Sequence, residues 1–180
     1  GGVATAEFTA PKLPVRHAPT PPHAMIAAAL GITPAQIGPH DPGVWEGGPA
    51  FLFVPITDLA TLAAARPQEP AWSALMQAAD VDSAYLYVMT ADGPRARMFS
   101  PGAGIPEDPA TGSATAILAA QLLANDALAD GTTQLHLTQG IEMSRPARLR
   151  LTVDVAQDAI NAIRVAGSAI KIADGMIRTP

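Results

Sequence analysis

Glu107-Asp108-Pro109-Ala110-Thr111-Gly112-Ser113-Ala114, followed by the apolar run 115–123, is the stretch of this 180-residue chain whose reading decides the fold. Ala114, Ala116, Ile117, Leu118, Ala119, Ala120, Leu122, Leu123 and Ala124 leave only Thr115 and Gln121 as polar interruptions. A segment apolar on nearly every side is a helix enclosed by other structure. Ala and Leu are strong helix formers, and no Gly or Pro lies between Ser113 and Ala124. Asp108 or Thr111 is the expected cap, with Pro109 suited to a first turn because its missing N–H has no helical partner anyway. Asn125-Asp126 ends the helix.

The first amides of such a helix have no intrahelical acceptor, and the aligned peptide dipoles place about half a positive charge there. The expected ligand is a small carboxylate or another oxyanion. Gly112 lets a ligand approach the backbone closely, and Ser113 adds a hydroxyl that donates or accepts. Asp108 beside them is a charged hydrogen-bond partner or a proton-handling group. Spacing alone supports equally a plainer role, with Asp108 as a cap and Gly112 and Ser113 as small residues that permit tight packing.

Composition sets the outer limits. A chain of 180 residues is long enough for one domain, or one domain and part of another, with a proper core. With 48% hydrophobic and 15% charged residues it is not a disordered segment. A formal net charge of -5 and the lack of any Lys/Arg cluster argue against a nucleic-acid surface. There are no cysteines, which removes disulfides, thiolate zinc sites and a cysteine nucleophile and is compatible with a reducing cytosol. No apolar run reaches the length of about 18 residues that spans a membrane, and no signal-peptide pattern is visible. The chain opens on Gly1-Gly2 rather than Met, and is read as lacking its natural start.

Taken in order, the first nine residues read as a strand and 11–22 as a proline-rich extended connector. A helix is expected over 22–30 with Gly31 at its C-cap, and a short one from Thr33-Pro34. His40-Asp41-Pro42-Gly43 is a turn, 50–56 a buried strand, and 58–65 and 70–79 are helices, the latter with Trp72, Leu75, Met76 and Ala79 on its core face. Residues 84–90 and 95–99 pair across Asp92-Gly93 as a hairpin. Further strands are expected over 134–138, 147–155, 162–165 and 168–172. His17, His23, His40 and His136 show no metal-ligand spacing and are read as solvated loop residues, so no metal site is expected.

The run Arg97-Met98-Phe99-Ser100-Pro101, a glycine-containing spacer and then Glu107 to Ala114 resembles the signature of the PhzF-like isomerases of phenazine biosynthesis, which share a fold with diaminopimelate epimerase. Gly48-Pro49 before Phe51-Leu52-Phe53-Val54-Pro55, then Gln139-Gly140, Glu142-Met143 and Arg145-Pro146, follow in the family's order. The resemblance implies an α+β fold in which a curved, mostly antiparallel sheet or barrel wraps a central buried helix. It also implies a cofactor-independent isomerase or epimerase that moves a proton on a small carboxylate-bearing metabolite; a cytoplasmic location and a homodimer are the further expectations. The family's acidic and hydroxyl substrate-site residues fall on Asp108 and Ser113, the catalytic candidates, with Thr111, Gly112 and Gly48 as binding candidates.

Members of that family have two similar halves, and the proton-moving glutamate sits in the N-terminal one with a Gly-His-Pro-Thr-type segment. No such segment occurs in these 180 residues. Residues 1–22 are therefore read as a crossover strand and linker, and 23–180 as the C-terminal domain. The implied partners are a small carboxylate substrate and a missing N-terminal half or another subunit; an apolar flank left uncovered would favour self-association.

The chemistry needs a group that moves a proton and fixed donors for the charge that develops. Gly112 and Ser113 supply the donors. Glu107 diverges from the adjacent Asp108, so the two do not form an acid/base pair, and Glu46 and Glu142 serve only if folding brings them close. The Gly-Lys-Ser/Thr of a phosphate loop and the Gly-x-Ser-x-Gly of a nucleophile elbow are both absent, which disfavours Ser113 as a nucleophile. Two functions remain: the substrate-gripping half of a PhzF-like isomerase, or a stand-alone module that binds small acids or another subunit without catalysis.

Overall fold

The apolar rod read from the sequence is a helix of twelve residues, α4 (Gly112–Leu123), with Ala114 to Leu122 all buried. The computed structural model describes residues 4–171 and 173–178. Around α4 run ten strands: β1 (Ala4–Thr9), β2 (Val15–Ala18), β3 (Gly43–Glu46), β4 (Ala50–Pro55), β5 (Ala84–Thr90), β6 (Gly93–Ser100), β7 (Ile105–Asp108), β8 (Gly131–Gln139), β9 (Ala147–Ala156) and β10 (Ala159–Ala169). Three more helices, α1 (His23–Leu30), α2 (Leu59–Ala64) and α3 (Ala71–Ala79), lie away from α4.

The strands form one sheet in the order β1-β10-β9-β8-β6-β5-β4-β3-β2, with β7 pairing β6 off that path. Only β4–β5 and β6–β8 are parallel; the other pairings are antiparallel. The sheet is mixed and open, since β1 and β2 form its two ends without meeting. It wraps α4, which packs against β3 and β4 on one side and β9 and β10 on the other. This is the expected α+β arrangement.

Alternation along the central strands creates two cores. Phe51, Phe53, Tyr85, Tyr87, Ala96 and Met98 face α4 and join Leu137, Leu151, Val153, Ile163 and Val165. Leu52, Val54, Ala84, Leu86, Val88 and Phe99 face the opposite way, onto α1 and α3 through Ile26, Leu30, Trp72, Leu75 and Met76. Strands β4 and β5 are therefore covered on both faces. Gly31 ends α1 in the left-handed conformation at φ 67°, as its sequence position suggests.

Several local expectations are corrected. The acidic turn at Glu107-Asp108 is the end of strand β7, where Asp108 pairs with Met98. Thr111 stands at the N-cap position of α4, as one of the two expected caps, but its hydroxyl is given to the Asp108 carboxylate and no side chain bonds the helix's first amides. Pro109 lies ahead of the helix rather than in its first turn. The turn read at 40–43 leads straight into β3, and the proline-rich connector contains β2, which pairs with β3. The segments 162–165 and 168–172 belong to a single strand as far as Ala169, with Ile172 outside the described residues.

Candidate functional site

The amides of Gly112, Ser113 and Ala114 have no hydrogen-bond acceptor among the described residues, and helical bonding begins with Thr115 N–H to the Thr111 carbonyl at 3.0 Å. Gly112 and Ser113 are only half-buried. The enclosed helix thus presents unpaired donors, at its positive end, to an accessible surface. A Cβ built on Gly112 would meet the Phe8 ring of β1 at 3.6 Å, an ordinary contact. Packing therefore does not demand glycine there. The Ser113 hydroxyl has no partner among the described residues.

On β7 the alternation of side chains sends the two adjacent acids to opposite faces. Glu107 meets Arg97 in a two-point ion pair, Nε to Oε1 and Nη2 to Oε2, both 2.8 Å. Arg97 is fully buried, and its Nη1 also donates to the carbonyls of Leu62, Ala63 and Ala65. Asp108 faces the α4 side, accepting the Thr111 hydroxyl on Oδ2 at 2.6 Å. Glu107 is thereby removed as an acid/base partner, as its place beside Asp108 suggests.

Behind this turn sits Gln139, fully buried at the end of β8. Its Nε2 donates to the Asp108 carbonyl (2.7 Å) and to Thr111 Oγ1 (2.9 Å), and its Oε1 accepts from the Thr111 amide (3.3 Å) and the Tyr85 hydroxyl (3.4 Å). Burial pushes the Tyr85 phenol well above its usual range, so it stays a neutral donor. Gln139 and Tyr85 escaped the sequence reading as site residues. The only signal was Gln139-Gly140 among the motif matches. Gly140 is fixed by packing, for a Cβ there would strike the Pro109 and Arg145 carbonyls.

Gly48 belongs to the turn between β3 and β4, with φ +119° and open space, free of any atom within 4 Å, where a Cβ would stand. That hairpin runs along one face of α4: Trp45 Nε1 donates to Gln121 Oε1 at 2.8 Å, and Gly47 lies against Ile117. Residues 121, 117 and 113 lie four apart on the helix, so the Gly47-Gly48-Pro49 turn leads toward the Ser113 end.

The remaining carboxylates considered as a base are engaged elsewhere. Glu142 bonds Arg95 at 2.9 Å, and Glu46 bonds Lys12 and the His17 imidazole, which hold its pKa below the usual carboxylate range. Two histidines depart from the solvated-loop reading. His17 lies on β2 between Glu46 (3.1 Å) and the Asp80 carbonyl (2.9 Å), and these two hydrogen bonds, the one to Asp80 foremost, raise its pKa. His40 meets the Tyr87 hydroxyl at 3.0 Å, and partial burial lowers its pKa. Among the described residues no group of three or more His, Cys, Asp or Glu could hold a metal ion. A cavity of about 500 Å³ lies beside β6, β8 and β9, lined among others by Asp92, Arg95, His136 and Arg148. It contains none of the motif residues. No helix among the described residues is long and apolar enough to cross a membrane.

Comparison with known proteins agrees with this architecture. The profile of the PhzC-PhzF family, described as phenazine biosynthesis-like protein, matches residues 3–175. An uncharacterized isomerase of Mesorhizobium japonicum is 36% identical over 98% of this chain and 61% of its own length. Trans-2,3-dihydro-3-hydroxyanthranilate isomerase of Pseudomonas aeruginosa is 32% identical over 84% of this chain and 52% of its own length. The chain thus spans between half and two thirds of these curated relatives. Among solved structures, a PhzF-family phenazine biosynthesis protein of Bacillus anthracis superposes with a TM-score of 0.77 at 20% identity, covering 91% of this chain and 57% of that one. A predicted epimerase of Pseudomonas aeruginosa gives 0.70 at 28% identity, over 94% and 59%.

Proposed function

The chain belongs to the PhzC-PhzF family of phenazine biosynthesis-like proteins, and from that premise we propose that it grips the carboxylate of a small metabolite during an isomerase's proton transfer. The observation that carries this reading is the set of free amides at Gly112 and Ser113, aimed outward from a helix whose body is otherwise buried. Their partial positive charge is fixed in place by the packing of α4, so it meets an oxyanion without reorganising. The Ser113 hydroxyl adds a third donor. Asp108, with Oδ2 bound to Thr111, offers Oδ1 to an amino or hydroxyl group on the same ligand. The Gly48 turn lets the ligand approach the backbone from the other side.

Proton transfer itself is assigned to a group outside these residues, supplied by the rest of a longer protein or by another subunit. Glu107, Glu142 and Glu46 each already hold a cation, which favours this division of labour. The relatives' names support a cyclic, unsaturated acid with an amino or hydroxyl substituent as the substrate class.

Calorimetry of the purified chain with 3-hydroxyanthranilate, the aromatic counterpart of the compound in the relatives' names, tests the grip. Asp108→Ala and Ser113→Ala are each expected to weaken binding about tenfold, the loss of one hydrogen bond to a charged group, while the fold stays intact. Unchanged affinity in both would reduce the two residues to packing. Incubated in deuterium oxide with trans-2,3-dihydro-3-hydroxyanthranilate itself, the compound in the relatives' names, the chain alone is further expected to leave the ligand's ring hydrogens on saturated carbon unexchanged; exchange by the isolated chain would place the base within it.

A further inference from the structure

Gln139 is the one side-chain amide buried behind the Asp108–Thr111 turn, and its orientation is fixed by backbone groups on both sides. The Asp108 carbonyl can only accept and the Thr111 amide can only donate, so Nε2 must face the first and Oε1 the second. The second hydrogen on Nε2 then goes to Thr111 Oγ1 at 2.9 Å. A hydroxyl that accepts from Gln139 has a single proton left to give, and the acceptor 2.6 Å away is Asp108 Oδ2. The relay therefore has one direction, from Gln139 through Thr111 to Asp108.

An apolar residue would fill this inward position on β8 as Leu135 and Leu137 do, without the cost of burying an amide. Gln139 instead satisfies both its hydrogens and accepts two bonds, from Thr111 and Tyr85. We propose that Gln139 is a positioning residue that acts through Thr111: it aims the hydroxyl at Asp108 Oδ2, keeping that oxygen an acceptor and turning Oδ1 toward the ligand. This rests on the reading above that Asp108 meets the substrate. The relay itself exists without ligand and can be tested alone.

Gln139→Met keeps the length of the side chain and removes both donors. In the ligand-free wild-type chain, NMR is expected to show a Thr111 hydroxyl proton protected from solvent exchange; in Gln139→Met that protection is lost. A hydroxyl equally protected in both proteins overturns the proposal. Gln139→Leu supplies a second variant should the first fail to fold, since it too removes both donors and is expected to show the same loss of protection. Calorimetry with 3-hydroxyanthranilate then separates positioning from general support. Gln139→Met should weaken binding about tenfold in the wild-type background and less than about twofold in Asp108→Ala. Equal weakening in both backgrounds overturns action through Asp108. If the wild-type chain does not bind the probe, the substrate reading fails, and the hydroxyl measurement still decides the relay.

Discussion

Replacing Arg97 by Met would leave the Glu107 carboxylate and the carbonyls of Leu62, Ala63 and Ala65 without their donor inside the fold. Removing one partner of a buried pair costs about 3–5 kcal/mol, and urea denaturation of Arg97→Met should show a loss of that size. Arg97→Lys should recover little, because one ammonium cannot span Glu107 and three carbonyls together. His17 sets a pH dependence. Its two nearest partners, the Glu46 carboxylate and the Asp80 carbonyl, both accept, so both ring nitrogens donate only in the imidazolium. Its folded pKa is raised, so the stability it contributes is fully present below the unfolded value of about 6.5 and is lost as pH climbs through the folded value. Denaturation of His17→Asn against wild type should show a gap at pH 5.5 that closes by pH 9; an unchanging gap would contradict the imidazolium. Asp108, Gly112 and Ser113 could be singled out as candidates from the sequence because they sit in one short motif. Gln139, Tyr85 and the partners of His17 were not, because each is defined by a contact between residues far apart in the chain.

At the scale of elements, α4 could be read directly, since nothing but enclosure explains a run of Ala, Ile and Leu with two polar interruptions. Leu118 is fully buried in it, and Leu118→Ala should cost about 2–5 kcal/mol by thermal or chemical unfolding. The hairpin β5–β6 was legible from its alternation and its Asp92-Gly93 turn. Less visible was what Gly93 does besides turning: at φ +107° its absent Cβ makes room for the His136 carbonyl of β8. Gly93→Ala should therefore lower stability by at least the 1–3 kcal/mol or so of backbone strain and loosen β8, seen as faster amide exchange there. Strands β2, β3 and β7 escaped the reading because each has only four residues and is made a strand by its neighbour's backbone. Ala166-Gly167 split β10 in the same way, although pairing with β9 and β1 carries the strand through.

At the scale of the molecule, the sheet ends on two edge strands, β1 and β2, each paired on one side only among the described residues. Phe8 and Val15 are exposed on them, and Leu13 is exposed on the connector between. An unpaired edge with apolar side chains invites another strand or another copy. We propose on this ground that the isolated chain self-associates; sedimentation is expected to show concentration-dependent dimers or larger species, and a monomer at every concentration, with no binding of an apolar-surface dye, would refute it. The wrapping of a sheet around one helix was foreseeable from the order of elements. The division into two cores was not, because it depends on which face of β4 and β5 each alternate residue takes.

That division has a bearing on how the sequence can drift. Positions on β4 and β5 have no idle side, so a polar replacement at almost any of them injures one interior or the other. On β8 and β9 the alternate residues of the outer face are exposed or half-buried, Thr132, Gln134, His136 and Arg148 among the exposed, with Thr152 the buried exception. A saturation library selected only for folding should come back nearly invariant in hydropathy along the first pair of strands, and freely mixed at alternate positions along the second.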